Sequence, residues 1–456
     1  MASSTSAGAP TVSRARGRSK GPLALRARLC VVYPPGATGT IELAAERVQL
    51  GRMQAGSAGR PLDHSTVSRR HCAVVWDARL GAHLVSDVGS RNGSWLDGAR
   101  VDAMPRPLAS GAVLRLGDVI LVYECGELDA PDAPGVSQEA IPGQAAATRL
   151  LRAQLARAAP DRAPVLLCGE TGTGKEFAAA ELHRLSGRPG PLLVFNCAAL
   201  SPHLVESQLF GHQRGAFTGA TESLPGLFRS AEGGTLVLDE IGELALELQP
   251  KLLRAVQESE VHPVGSPRGL RVDVRMVAAT HRDLGALAES GAFRRDLYAR
   301  LSLWEVRLPA LRERRVDLLA WIERFDQGQR ERRGQSASAP LRFDPEAAEA
   351  LLLAPWPENL RGLDRLVHEI AHDQPSWQCS RADLPRWVAV RPPAPRQPEP
   401  APRPQVPTRE ELIRVLEQMK GSVRATAKHF QRERRQIYRW MEAYSIEGMG
   451  RGRPRS

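Results

Sequence analysis

The stretch APVLLCGETGTGKEFAAAEL (residues 163–182) decides the fold of the chain's centre. An apolar run, Val165 to Cys168, enters a glycine-rich turn and then a segment with helical spacing. Strand, turn and helix in that order make a phosphate cradle. The backbone N–H groups of Gly169, Glu170, Thr171, Gly172, Thr173 and Gly174 face an anion, the helix N-terminus adds its positive end, and Lys175 reaches the β- and γ-phosphates. Glu176 stands where such a loop ordinarily carries the Ser or Thr that ligates magnesium. Downstream, GGTLVLDEI (233–241) is a second apolar strand, ending in Asp239 and Glu240. That pair suits holding Mg²⁺ (Asp239) and polarising an attacking water (Glu240). The two stretches predict an α/β domain that binds ATP and Mg²⁺ and hydrolyses the nucleotide.

Working outward, 456 residues with 42% hydrophobic content call for two to four domains. Residues 1–22 read as a disordered basic arm. From 23 to 126 short apolar runs (LCVVY, CAVVW, VLRLGDVILVYE) alternate with Gly, Asp and Asn turns, predicting an all-β sandwich. Residues 127–142 are a linker. From 143 to 390 strands alternate with helical patterns, the signature of a parallel sheet. RPPAPRQPEPAPRPQVP (391–407) is an extended proline-rich linker, residues 408–446 a small helical unit, and 447–456 a basic tail. The six cysteines show no C-x-x-C spacing, which reads as idle thiols in a reducing cytoplasm and argues against zinc. No run of eighteen apolar residues exists, so no membrane span is expected. Of the net charge of +11, residues 408–456 contribute +6, which points that end toward nucleic acid.

With these residues in view, the centre resembles the AAA+ domain of sigma-54 transcription activators over about residues 140–390. Their P-loop also has Glu in the hydroxyl position, so Glu176 fits the resemblance. LFGHQRGAFTGA (209–220) contains GAFTGA, which looks like the family's sigma-54-contacting loop: Gly215, Ala216, Phe217, Thr218, Gly219 and Ala220. The resemblance implies ATP-driven remodelling of sigma-54 RNA polymerase by a homo-oligomer, a hexamer in the family, with a helical lid on the α/β core. It implies Arg294 and Arg300, in GAFRRDLYARL, as arginine fingers reaching a neighbour's ATP. It implies Asn196 in NCAAL as the residue restraining Glu240, and Arg361 in WPENLRGL as a sensor near the γ-phosphate. This chain departs from the pattern at His281, where the first sensor usually has Asn. Gly362 and Arg365 replace the usual Glu and Asn of the second sensor helix, a change expected to loosen that helix.

VQLGR (48–52), TVSRRHCAVV (66–75) and SDVGSRNGSWLDG (86–98) resemble a forkhead-associated (FHA) domain. That likeness implies phosphothreonine binding by Arg52, Ser68, Arg69, Arg91 and Asn92, with His71 and Gly93 bracing the loops. The stretch between Arg52 and Ser68 is longer than usual, so a reshaped loop is expected. The domain stands where many relatives carry an aspartate-phosphorylated receiver, which implies input from a serine/threonine kinase. Residues 408–446 resemble a Fis-type helix-turn-helix, implying double-stranded DNA as partner. Arg434, Arg435, Gln436, Tyr438 and Arg439 are its outward contacts, and Gly421-Ser422 separates its first two helices. In the tail, Arg451-Gly452-Arg453-Pro454-Arg455 resembles the core of an AT-hook. Two competing readings are a regulator that retains an idle AAA+ domain and a general AAA+ unfoldase. The first would lose GAFTGA, and the second needs neither that loop nor a helix-turn-helix.

Overall fold

The computed structural model describes residues 26–37, 39–43, 47–52, 62–126, 128, 135–217, 220–334, 339–373, 378–389, 407, 409–419, 421–430, 434–444 and 446. The N-terminal arm, the basic tail, Thr218 and Gly219 lie outside them. Two compact units form, residues 1–392 and 393–456.

The first unit opens with ten strands: β1 (Arg26–Tyr33), β2 (Gly39–Leu43), β3 (Val48–Leu50), β4 (Cys72–Asp77), β5 (Ala82–Asp87), β6 (Ser94–Leu96), β7 (Ala99–Val101), β8 (Arg106–Pro107), β9 (Val113–Leu116) and β10 (Val119–Gly126). They make a six-stranded sheet, β2-β1-β10-β9-β6-β7, packed on a four-stranded one, β3-β4-β5-β8, as predicted. Leu29, Ile41, Leu50, Val74, Val85, Leu114, Leu116 and Leu121 fill the sandwich core. β9 is buried at every position and β10 through its first six. Successive side chains of a strand face opposite ways, so this run must have cover on both faces. Leu114, Leu116, Leu121 and Tyr123 face the sandwich, while Val113, Ile120 and Val122 belong to a second core, shared with helices more than two hundred residues downstream.

The next strands are β11 (Val165–Cys168), β12 (Leu192–Asn196), β13 (Thr235–Asp239), a hairpin of β14 (Glu260–Val261) and β15 (Leu270–Arg271), β16 (Arg275–Thr280) and β17 (Trp304–Arg307). Five of them form a parallel sheet, β12-β13-β16-β11-β17. All six residues of β16 are buried, as expected for a strand covered by helices on both faces. A helical lid follows, with helices Leu318–Arg332, Pro345–Leu353 and Asn359–Asp373 around Trp321, Leu351, Trp356 and Leu363. The helix carrying Gly362 runs from Asn359 to Asp373. Arg365 holds its outer face by ion pairs to Glu358 and Glu369.

The β-sandwich is built onto this lid. Arg115, in β9, sends its guanidinium to Glu349 of the lid at 2.8 Å, and both side chains are buried. Tyr33 donates its hydroxyl to the Phe343 carbonyl, and Arg315 donates to the Gly111 carbonyl. Residues 144–146, at the entry to the helix Ala146–Ala158, are gripped from both sides. Arg28 donates to the Gln144 carbonyl, and Ala146 donates its N–H to Glu124. Asp317 accepts the N–H groups of Gln144 and Ala145.

In the second unit, helices Arg409–Gln418, Val423–His429 and Arg434–Ala443 enclose Leu412, Leu416, Ala427, Ile437, Trp440 and Met441. Gly421 takes φ 74°, and its N–H closes on the Leu416 carbonyl. Ser422 caps the next helix by accepting from Ala425.

Candidate functional site

The phosphate loop runs from the end of β11 to the helix Lys175–Ser186. Gly172 and Gly174 have φ of 75° and 95°, a region where a side chain is strained. A Cβ on Gly172 would also lie 2.2 Å from the Glu358 carbonyl oxygen, because the lid crosses directly over the turn. Leu360 donates its N–H to the Gly172 carbonyl, and Asn359 donates its side-chain amide to the Thr171 carbonyl. Lys175 is buried and donates to the carbonyls of Gly169 and Glu170. Thr173 turns its hydroxyl back to the Glu170 carbonyl. Glu176 is exposed in the first helical turn. Arg361 stands over Gly172 with its Cβ close to that glycine.

Sequence reading named the Glu170 backbone but missed its carboxylate. Arg312 grips it with two nitrogens, at 2.5 and 2.8 Å, and Asn359 adds a third bond. These partners, Arg312 first, hold the Glu170 carboxyl well below the usual range, at about 2. The lone signal was the crowd of arginines in LRERR (311–315). Arg314 is the other half of that crowd: fully buried, it donates to the Thr173 carbonyl, and burial pulls it down to about 10.

Asp239 closes β13, level with Asn196 on β12. Burial and the neighbouring Glu240 push its carboxyl up, against the pull of Lys175 and Arg361. Two adjacent carboxylates in this position are a hard-oxygen donor set, and a divalent cation relieves their repulsion, so the residues present fit Mg²⁺. Among the described residues no cluster of three or more His, Cys, Asp or Glu side chains could hold a metal unaided. A magnesium site completed by phosphate oxygens does not need one. Glu240 has φ 52°, a strained value for a non-glycine residue. Its carboxylate meets His281, with Nδ1 2.6 Å from Oε2. Asn196, expected beside Glu240, instead accepts the N–H of Ala198. Arg294 and Arg300 are exposed at the two ends of the helix Arg295–Leu301.

Around GAFTGA, His212 bridges Leu224 on one side and Val264 on the other. The β14–β15 hairpin is thereby a second stem, one that no motif announced. Gly215 donates to the Ala220 carbonyl, and Phe217 is 44% exposed, its ring edge against His212 at 5.0 Å. Phe217 thus lies outside the hydrophobic core of the domain.

In the β-sandwich, Ser68 accepts the Arg91 N–H on its hydroxyl at 3.0 Å, and Asn92 donates to the Thr66 carbonyl at 2.7 Å. These bonds bring the two predicted loops together. Arg52 is tied to the same corner by its N–H on the Ser68 carbonyl, and Arg69 is exposed beside it. His71, fully buried, accepts from Ser68 on Nδ1, which leaves Nε2 to donate to the Gly93 carbonyl. Asp87 is a further brace that sequence reading missed: it accepts from the hydroxyls of both Ser90 and Ser94. Gly51 is obligatory, since a Cβ there would lie 2.1 Å from the Arg69 carbonyl oxygen.

On the last helix of the second unit, Tyr438 and Arg439 are exposed. The backbone of Arg434, Arg435 and Gln436 is helical there. All six cysteines are free, and none lies in a metal-binding group among the described residues.

Two protein families match this chain. The Sigma-54 interaction domain covers residues 141–307, and the FHA domain covers residues 48–117. The transcriptional regulatory protein ZraR of Escherichia coli K12 is 43% identical over 56% of this chain and 58% of its own length. ZraR of Klebsiella oxytoca is 40% identical over 65% of this chain and 67% of its own length. The match to the first of these relatives therefore spans under two thirds of its length. The structure of NtrX from Brucella abortus in complex with ATP is 29% identical, with a TM-score of 0.49, covering 70% of this chain and 71% of that one.

Proposed function

The chain belongs to the family of sigma-54-dependent transcriptional regulators, with an FHA domain at its front, and from that premise we propose that it binds DNA near promoters and spends ATP to open promoters held by sigma-54 RNA polymerase. The observation that carries the reading is one constellation. Lys175, at the start of the helix after β11, and Asp239-Glu240, at the end of β13, flank β16 in one parallel sheet close enough for Lys175 to act on the Asp239 carboxyl, on a domain that also exposes Phe217 on its GAFTGA loop. In this reading Lys175 and the loop N–H groups hold the β- and γ-phosphates, and Arg361 senses the γ-phosphate. Glu240, once free of His281, orients and deprotonates the attacking water. Asp239 would hold Mg²⁺, which would supply positive charge to offset the charge that develops on the phosphates. Arg294 and Arg300 complete the site of a neighbouring subunit in a homo-oligomer. The input is phosphothreonine on a protein or peptide, read by Arg52, Ser68, Arg69, Arg91 and Asn92. The output is DNA-bound, through Arg434, Arg435, Gln436, Tyr438 and Arg439.

The test is open-complex formation by sigma-54 holoenzyme with ATP on supercoiled template carrying enhancer DNA selected by this protein. Wild type should open the promoter. Glu240→Gln should bind nucleotide nearly as well yet lose hydrolysis and opening together. Undiminished turnover by that variant removes Glu240 from the catalytic role, and no opening by an ATP-hydrolysing wild type defeats the sigma-54 reading.

A further inference from the structure

The proposed peptide-reading loop and the proposed nucleotide loop are connected by one unbroken series of packed and hydrogen-bonded groups. It begins at Asn92-Gly93, where the ring of Trp95 lies against Gly93: a Cβ on Gly93 would come within 3.0 Å of it. The Arg115 guanidinium sits 3.8 Å from the centre of the same ring. Trp95 and Arg115 are partners across β6 and β9, so the sheet itself fixes this stack. Arg115 then leaves the sandwich and pairs with Glu349 at 2.8 Å and Glu346 at 3.3 Å, both on the lid helix Pro345–Leu353. On that helix the Leu351 carbonyl accepts the indole N–H of Trp356 at 2.8 Å. Trp356 opens the turn to Asn359, and these two non-glycine residues hold φ of 46° and 50°. Asn359 finally reaches the phosphate loop, at the Thr171 carbonyl and the Glu170 carboxylate.

Two features make this more than proximity. The pair at its middle is buried, so it is either made or broken, with a heavy cost for a half-made state. The turn nearest the phosphates is strained, and strain of this kind persists only where surrounding contacts enforce it. An element held by opposing contacts responds to a change at either end.

We propose that Trp95 and Arg115 are positioning residues that couple the phosphopeptide loop to the lid, so that occupation of the sandwich and of the nucleotide site are thermodynamically linked. This rests on the functional reading above for the identity of the two ligands. Linkage is reciprocal: whatever factor the peptide imposes on nucleotide affinity, the nucleotide imposes on peptide affinity.

The experiment uses the full chain, fluorescent ADP with Mg²⁺, and a degenerate phosphothreonine peptide pool, with the unphosphorylated pool as control. Nucleotide affinity should change by about fivefold or more when the phosphorylated pool is added, and pool affinity by the same factor when nucleotide is added. Hydrogen exchange supplies an arm that needs no peptide: Mg²⁺-ADP alone should alter amide protection at residues 90–96. The variant R115M strips the buried Glu349 of its partner, so R115M/E349M, which removes both charges at similar volume, is measured beside it. In the double variant both ligands should still bind, with the mutual factor below about twofold and the exchange change at 90–96 lost. An unchanged exchange pattern in wild type on adding Mg²⁺-ADP overturns the coupling, and so does a factor that survives in the double variant. If wild type ignores the pool, the phosphopeptide reading fails while the exchange arm still decides the coupling.

Discussion

Asp317→Ala should be among the most damaging single substitutions in the first unit. Asp317 is fully buried and accepts three hydrogen bonds: from the N–H of Gln144 at 2.6 Å, the N–H of Ala145 at 2.7 Å, and the Thr148 hydroxyl at 2.5 Å. Helix Ala146–Ala158 has Ala145 at its N-cap, with no capping side chain of its own, so Asp317 does that work from a distant segment. Losing a cap costs about 1 kcal/mol. Each buried donor left without an acceptor adds about 1–3 kcal/mol. Against this, burial pushes the Asp317 carboxyl up, so removing a costly buried charge returns part of the sum. The net expectation is a loss of about 3–5 kcal/mol, a large share of the ~5–15 kcal/mol that holds a domain together. Asp317→Asn keeps one acceptor oxygen and should lose roughly half as much. Urea titration at unchanged m-value measures both, and a cycle with Thr148→Ala isolates the shared bond, expected to couple by about 0.5–3 kcal/mol. A loss under about 1 kcal/mol in Asp317→Ala, or strict additivity with Thr148→Ala, would refute the remote-cap argument.

Thr218→Ala should leave DNA binding and most of the ATPase intact while abolishing open-complex formation; normal sigma-54 activation by this variant removes GAFTGA from the coupling role. Ser68→Ala/Asn92→Ala should lose phosphothreonine-peptide binding while keeping the unfolding free energy within about 1 kcal/mol of wild type, since Asn92 is exposed and Ser68 only half-buried; peptide affinity equal to wild type in an anisotropy titration counts against the assigned loops. His71 is held below its usual 6.5 by burial, outweighing its bond to Gly93 and the pull of Asp87. Below pH 6.5 the unfolded chain therefore takes up a proton that the folded one refuses. His71's contribution to stability is complete above that pH and is lost as pH falls toward the lowered folded value. Denaturation midpoints across pH 5–8 should show this slope in wild type and not in His71→Asn.

Fold class was legible because each layer writes its own period. Alternating short runs gave the sandwich, continuous apolar runs such as TLVL (235–238) gave buried parallel strands, and Gly421-Ser422 marked a helix break. The phosphate loop was legible for a different reason: glycine spacing is dictated by backbone geometry, as Gly172 and Gly51 show by the carbonyls lying where a Cβ would stand. Long-range partners were not legible. Nothing local announces that Arg312 will hold Glu170 or that Asp317 will cap a helix far upstream, because charge pairing carries no sequence period. One long-range contact does leave a mark in the sequence. VLRLGDVILVYE does not alternate, and in a sandwich an unalternating strand pair must be covered on its outer face as well. The structure supplies that cover from the lid, and Arg115, a charge within the run, finds its partner there.

The arrangement of the nucleotide site has an energetic consequence. Lys175 is satisfied by loop carbonyls, Glu170 by Arg312 and Asn359, and Glu240 by His281. A phosphate chain entering this cradle exchanges those bonds for its own, so the net gain per contact is the difference between two hydrogen-bonded states and is small. Lys175 gains most, because it trades neutral carbonyls for anionic oxygens in a buried setting. Movement of Lys175 away from the Glu170 carbonyl acts on the same short loop that Asn359 holds at Thr171. The lid is therefore tied to the outcome of binding at its most strained turn, Trp356 to Asn359. Relaxing that turn recovers part of the strain, of order 1–3 kcal/mol per residue, which is comparable to the coupling free energies that link two sites on one protein. On the proposed reading, a site whose charged groups are already paired would convert part of nucleotide binding into lid movement instead of affinity alone, as an ATP-driven remodeller requires.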